Sequence, residues 1–149
     1  MEIKDIKSIP VYFKQVKTTL REIDKYVGNL PALVAEEAVK RGYKIVGPQI
    51  WNYIGADGNP DTEFSIDICF PVEQSPIENG AETKILDGFK AACHVLKGPW
   101  SELSNAYSTL LAEMGKEGFL PSINCREVYH LCDFNDQNNC ITEIQMGIQ

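Results

Sequence analysis

Arg126-Glu127-Val128-Tyr129-His130 is the stretch on which the fold turns. It reads as a β-strand in the second half of the chain. Side chains alternate faces along a strand, so Glu127 and Tyr129 share one face while Arg126, Val128 and His130 share the other. A carboxylate beside a phenol on a core strand is unusual, because a buried charge is costly without a partner.

Working outward from this strand, the same order of elements occurs twice. In the first half, Val11 to Val16 reads as a strand and Thr19-Leu20-Arg21-Glu22 has capping-box spacing. Asn29 is placed to cap a longer helix with Pro31 in its first turn and Leu30, Leu33, Val34 and Ala38 at helical spacing. Gly42 suits the helix end, and Pro48 to Tyr53 reads as a strand. Gly55 to Pro60 forms a turn, and Glu63 to Phe70 alternates as a half-buried strand. Pro71 to Gly80 reads as a connection. In the second half, Phe89 to Leu96 reads as a strand broken by Gly98-Pro99, and Ser101 is placed to cap a helix ending near Gly118. That helix carries Leu103, Tyr107, Leu110, Leu111 and Met114 on one face. Cys125 to Leu131 and Cys140 to Ile148 are strands flanking a polar turn over Asp133 to Asn139.

The two halves can be put in register. Gly42 to Gly118 is 118 − 42 = 76 residues, and Tyr53 to Tyr129 is 129 − 53 = 76. Thr62-Glu63 then matches Thr142-Glu143 at 142 − 62 = 80, after a longer turn. Internal similarity takes precedence in a fold argument. It predicts one α+β domain over 1–149, a duplicated strand–helix–strand–strand module with halves at about 1–75 and 80–149. The expected architecture is pseudo-two-fold, an antiparallel sheet with two helices on one face and a central cleft on the helix-free, concave side.

Bulk properties bound the function. The 44% hydrophobic and 23% charged content is that of an ordinary globular domain. No apolar run approaches the roughly 20 residues needed to span a bilayer, and the N-terminus lacks the apolar centre of a signal peptide. A cytoplasmic protein with no membrane partner is expected. The net charge of −7 argues against direct nucleic-acid binding and suits a cationic ligand. The five cysteines are odd in number and form no CxxC pair, so they read as mostly small buried thiols. No cofactor and no metal site is expected; Asp57, Asp61, Glu63 and Asp67 read as solvated acids and His94 as structural.

At the offset of 76, Glu127 corresponds to Trp51 and Tyr129 to Tyr53. If the halves face each other, Trp51 and Tyr53 form one wall and Glu127 and Tyr129 the other. Each aromatic alone also fits an ordinary core position, and Glu127 also fits a pair with an internal Lys or Arg. Trp100 reads equally as packing or cleft lining, and the Tyr107 hydroxyl needs a partner. Together these residues form an aromatic cleft with one acid, a setting for a flat cation. At roughly 4 Å and an effective dielectric near 20, a charge pair is worth about 4 kcal/mol before desolvation. Each aromatic face adds ~0.5–2 kcal/mol.

Further motifs recur in order: Val46-Gly47-Pro48 leading to Tyr53, Asp61-Thr62-Glu63, His94 to Trp100, Leu103 with Ala106-Tyr107, Glu127-Val128-Tyr129, and Thr142-Glu143-Ile144. Along nearly its whole length the chain resembles the GyrI-like small-molecule-binding domain, which also forms the effector-binding part of some AraC-type and MerR-type transcription regulators. The resemblance implies a duplicated module whose central cleft takes hydrophobic, often cationic compounds. It implies Glu127 as the charge anchor, with Tyr129, Trp51, Tyr53, Trp100 and Tyr107 around it. The chain leaves no room for a helix-turn-helix domain before its first strand, so a standalone form is expected. Its function would be to sequester or sense planar hydrophobic cations, with an unknown protein partner in the sensing case. The family also implies two alternatives. One is a metal-independent hydrolase of strained cyclopropane-containing genotoxins, with Glu127 as acid or base and Tyr129 as a donor. The other is an inhibitor of DNA gyrase.

Overall fold

The computed structural model describes residues 1–73 and 82–149. In chain order its elements are β1 (Glu2–Ile6), β2 (Ile9–Thr18), α1 (Ile23–Val27), α2 (Leu30–Lys40), β3 (Gln49–Ile54) and β4 (Phe64–Pro71). They continue with β5 (Thr83–Leu86), β6 (Phe89–Lys97), α3 (Leu103–Lys116), β7 (Pro121–Leu131) and β8 (Ile141–Ile148). The strands form one antiparallel sheet in the order β1-β6-β8-β7-β3-β4-β2-β5. Of the expected connection at 71–80, Pro71 ends β4 and Val72 bridges to Ile45, while residues 74–80 lie outside the described residues.

The order is symmetric about the β7–β3 pair: β6-β8-β7 on one side mirrors β2-β4-β3 on the other. This is the order that a duplicated module would give. The outermost strands are exchanged. β1 precedes β2 in the chain but pairs with β6, and β5 precedes β6 but pairs with β2. The sequence reading had no counterpart for either short strand.

This exchange dictates the shape. From β1 to β2 is six strand steps across the sheet, about 29 Å if flat at ~4.8 Å per step. Yet Ile6 and Ile9 are separated by a link that spans at most ~11 Å. The same holds for Leu86 and Phe89 at the ends of β5 and β6. The sheet must therefore curl until its ends meet, and the two links touch. A Cβ placed on Gly88 would lie 2.6 Å from the Ile6 carbonyl oxygen.

Curling closes the helix-free face instead of leaving it open for a ligand. Val11, Ile50, Cys69, Leu86 and Val128 form a small core there. Arg126 reaches from β7 to the 87–88 link, where one guanidinium N–H donates to the Asp87 carbonyl at 2.8 Å, and its charge sits 4.5 Å over the Phe89 ring. Asp67, expected to be solvated, is fully buried on this face. It accepts hydrogen bonds from Lys84 at 2.6 Å, Gln15 at 2.9 Å and Asn52 at 3.1 Å. The strand read as half-buried over Glu63–Phe70 runs from Phe64 to Pro71, with both faces enclosed over most of its length.

The helices all lie on the other face. α1 and α3 cover the larger core, which includes Tyr53, Phe64, Ile66, Ile68, Leu110, Met114 and Ile144. α2 packs through Val34 and Ala38 on Tyr12 and Val72. Thr19 accepts the Glu22 backbone N–H at 3.2 Å, as the capping-box spacing predicts. Asn29 occupies the cap position of α2 without a side-chain cap bond. Ser101 is not a cap: it lies inside a 3-10 turn, Trp100–Glu102, and α3 begins at Leu103. Gly42 and Gly118 follow their helices at φ 89° and 80°, as the helix ends require. Among the described residues, no helix is long and apolar enough to cross a membrane.

Gly88→Ala drives a methyl group into the Ile6–Ser8 backbone and should destabilise the fold by about 1–3 kcal/mol. Urea unfolding measures this; wild-type stability in the variant would show that the two links do not bear on each other.

Candidate functional site

Trp51 stands directly opposite Glu127 across the β3–β7 ladder, with Tyr53 opposite Cys125 and Gln49 opposite Tyr129. The four residues expected to form two facing walls are therefore neighbours on one face of one sheet. That face is the one carrying the helices, not the helix-free side. On the other flank of β7, Ile144 is opposite Glu127 and Thr142 opposite Tyr129.

α3 supplies the third direction. Tyr107 shares its inward stripe with Leu103, Leu110 and Met114, which anchors the helix to the core. This brings the Tyr107 hydroxyl to Glu127, giving the partner that the sequence left open. Glu127 is 4% exposed and accepts from three phenols. Tyr107 donates to Oε2 at 2.6 Å, while Tyr129 at 2.5 Å and Tyr53 at 3.1 Å both donate to Oε1. The Tyr107 hydroxyl also meets the Cys125 Sγ at 3.4 Å. Among the described residues, no Lys or Arg reaches Glu127: Arg126 is turned to the opposite face.

Around this acid lies a layer of half-buried aromatic rings. Trp51 packs edge-on against Tyr129 with centroids 5.5 Å apart, and Trp100 lies 6.3 Å from the same ring. Phe134, 80% exposed, stands 5.4 Å from Trp100. The Trp51 indole N–H donates to Gln49 Oε1, and that of Trp100 donates to Thr142 Oγ1 at 3.2 Å. Trp100 is set by Gly98-Pro99: the backbone N–H of Gly98 donates to the Cys140 carbonyl at 2.9 Å, and Gly98 adopts φ 137°. All six residues singled out from the sequence thus converge. Gln49, Cys125, Thr142 and Phe134 join them without having been assigned a place there. Gln49 had a signal, its i, i+2 spacing to Trp51; Phe134 had one as a lone aromatic in a polar turn.

Burial dominates the electrostatics. It pushes the Glu127 carboxyl above its usual range, and the hydrogen bonds from Tyr107, Tyr129 and Tyr53 only partly offset this. All three phenols are held well above their ordinary value, first by burial and then by the Glu127 charge. Removing a carboxylate from water costs several kcal/mol, against about 1.5–3 kcal/mol for each hydrogen bond to a charged group. A surface depression of about 360 Å³ lies elsewhere, between α2 and Lys14, and includes none of these side chains.

A family model described as a GyrI-like small molecule binding domain matches residues 1–149. The chain belongs to this family. The GyrI-like domain superposes on the crystal structure of the EcmrR C-terminal domain with a TM-score of 0.82 and 20% identity, covering 99% of this chain and 96% of that one. It matches 56% of the EcmrR chain in a complex with DNA. It also matches SAV2435 bound to tetraphenylphosphonium, with a TM-score of 0.69, 14% identity and coverage of 99% and 93%. A hydrolase from Listeria innocua matches with a TM-score of 0.59, 13% identity and coverage of 99% and 91%. At these identities the likeness is one of fold. No curated protein sequence matches the chain.

Because the pKa of Glu127 is raised on folding, its contribution to stability is fully present below the unfolded value of about 4.3 and is lost as pH rises through the folded value. Relative to wild type, Glu127→Gln should therefore gain stability as pH rises through that window. Urea midpoints across a pH series measure this; parallel profiles for the two proteins would show that Glu127 does not titrate abnormally.

Proposed function

We propose that this GyrI-like domain binds planar, hydrophobic, cationic small molecules over the Glu127 cluster, so as to sequester or sense them. The observation that carries this reading is the layering at the β3–β7 seam. A carboxyl group that has no cationic partner among the described residues lies beneath half-buried Trp51, Trp100, Tyr107 and Tyr129. A flat cation placed against these rings gains cation–π attraction and the field of a nearby, poorly screened negative charge. Its charge in turn favours the ionised form of Glu127, offsetting the burial that disfavours it. SAV2435, with the same fold, binds tetraphenylphosphonium, a hydrophobic cation. EcmrR supports a sensing role, since there the same fold is part of a protein captured on DNA.

Titration with a planar hydrophobic dye cation, read by tryptophan fluorescence, tests this. Saturable quenching is expected, weakened at least tenfold in Glu127→Gln, which is about 1.4 kcal/mol. Equal affinity in the two proteins would remove the carboxyl from the ligand's environment.

A second reading is favoured by the raised pKa of Glu127, a property that suits a general acid. Here Glu127 would be a general acid or base, giving a proton to the opening ring or taking one from the water that adds to it, against a strained cyclopropane-containing genotoxin, with Tyr129 as a hydrogen-bond donor. Incubation with such a compound should then yield a ring-opened product with wild type and none with Glu127→Gln. Saturable binding with no product rejects catalysis.

A further inference from the structure

The polar groups of the aromatic cluster are spent on one another. The Glu127 carboxylate has about four lone-pair sites, and three take O–H bonds from Tyr53, Tyr107 and Tyr129. Both indole N–H groups are used, Trp51 on Gln49 and Trp100 on Thr142. The Tyr107 hydroxyl is further occupied by Cys125. Among the described residues, no buried side-chain nitrogen or oxygen lacks a partner. A ligand therefore meets aromatic faces and a negative charge from beneath, but few open hydrogen-bond acceptors.

This distinguishes between kinds of cation. A primary ammonium carries three N–H donors, each bonded to water before binding. Placed over these rings, it loses those water bonds and finds three of the carboxylate's roughly four acceptor sites taken, so most of its donors are left poorly paired. A quaternary ammonium or phosphonium carries its charge without a donor and loses no hydrogen bond on entering. From the nearly filled carboxylate at the β3–β7 seam we infer that the site selects donor-free cations over protonated amines of the same shape. The inference rests on the proposed cation binding and specifies which cations are taken.

The choice of probes separates the two. They are (1-naphthylmethyl)trimethylammonium, the primary amine 1-naphthylmethylammonium, and the neutral neopentyl isostere of the first, each titrated calorimetrically at neutral pH. The quaternary cation is expected to bind at least tenfold tighter than both others. Tyr129→Phe keeps the ring but removes one O–H donor from Glu127 Oε1, opening an acceptor among the rings. The preference for the quaternary cation over the primary amine should shrink in this variant, whereas general damage to the site would weaken both alike. Equal binding of the two cations to wild type, or an unchanged preference in Tyr129→Phe, overturns the selectivity while leaving cation binding in place. Equal binding of the neutral isostere and the quaternary cation overturns cation binding itself and the selectivity with it, as does a lack of binding by all three.

Discussion

Two links of two residues each, Lys7-Ser8 and Asp87-Gly88, set the shape of the whole molecule. Each joins strands that lie six places apart in the sheet. A chain so short cannot cross a flat sheet, so the sheet rolls up. One face then closes on itself around Val11, Ile50, Cys69 and Val128. Only the outer, helix-bearing face can hold a cleft. The position of the Glu127 cluster follows from backbone reach before any side-chain chemistry is considered.

Closure also explains why this small domain tolerates so many buried polar groups. On the closed face, Asp67 is held by Lys84, Gln15 and Asn52, and Glu143 by Lys4 and His130, both at 2.9 Å. There each acid faces a cation. Glu143 is held below the ordinary carboxylate range: burial alone would raise it, but His130 and Lys4 outweigh that. Glu127, on the outer face, has neutral phenols as its hydrogen-bond partners among the described residues, and its pKa moves the other way. Two acids on neighbouring strands of one sheet are thus driven in opposite directions. The difference lies in whether a positive charge is built into the protein.

Much of this was legible in the sequence because it depends on period and spacing. The 76-residue offset paired Trp51 with Glu127, and the two proved to be direct cross-strand neighbours. What the sequence did not convey was three-dimensional sense. Register gives equivalence between halves, not whether equivalent strands face each other or lie side by side. β1 and β5 are short, and their exchange between the halves leaves no periodic trace. Asp67 looked solvated because it alternates with Phe64, Ile66 and Ile68; only the curl of the sheet buries the face on which it lies. Phe134 sits in a turn of polar residues, where hydrophobic patterning has nothing to repeat.

The exchanged strands also bear on how the chain is made. Glu2 pairs with Cys93, and Trp51 with Glu127, so the pairings that complete the sheet join residues far apart in sequence. Such non-local contacts fold slowly. On a ribosome, the early part of the chain can assemble β2, β4 and β3, but β3 then presents an unpaired edge until β7 emerges. An open edge is a template for pairing with another chain. The seam that holds the acid and its rings thus waits on the second half of the chain and closes only once β7 is made.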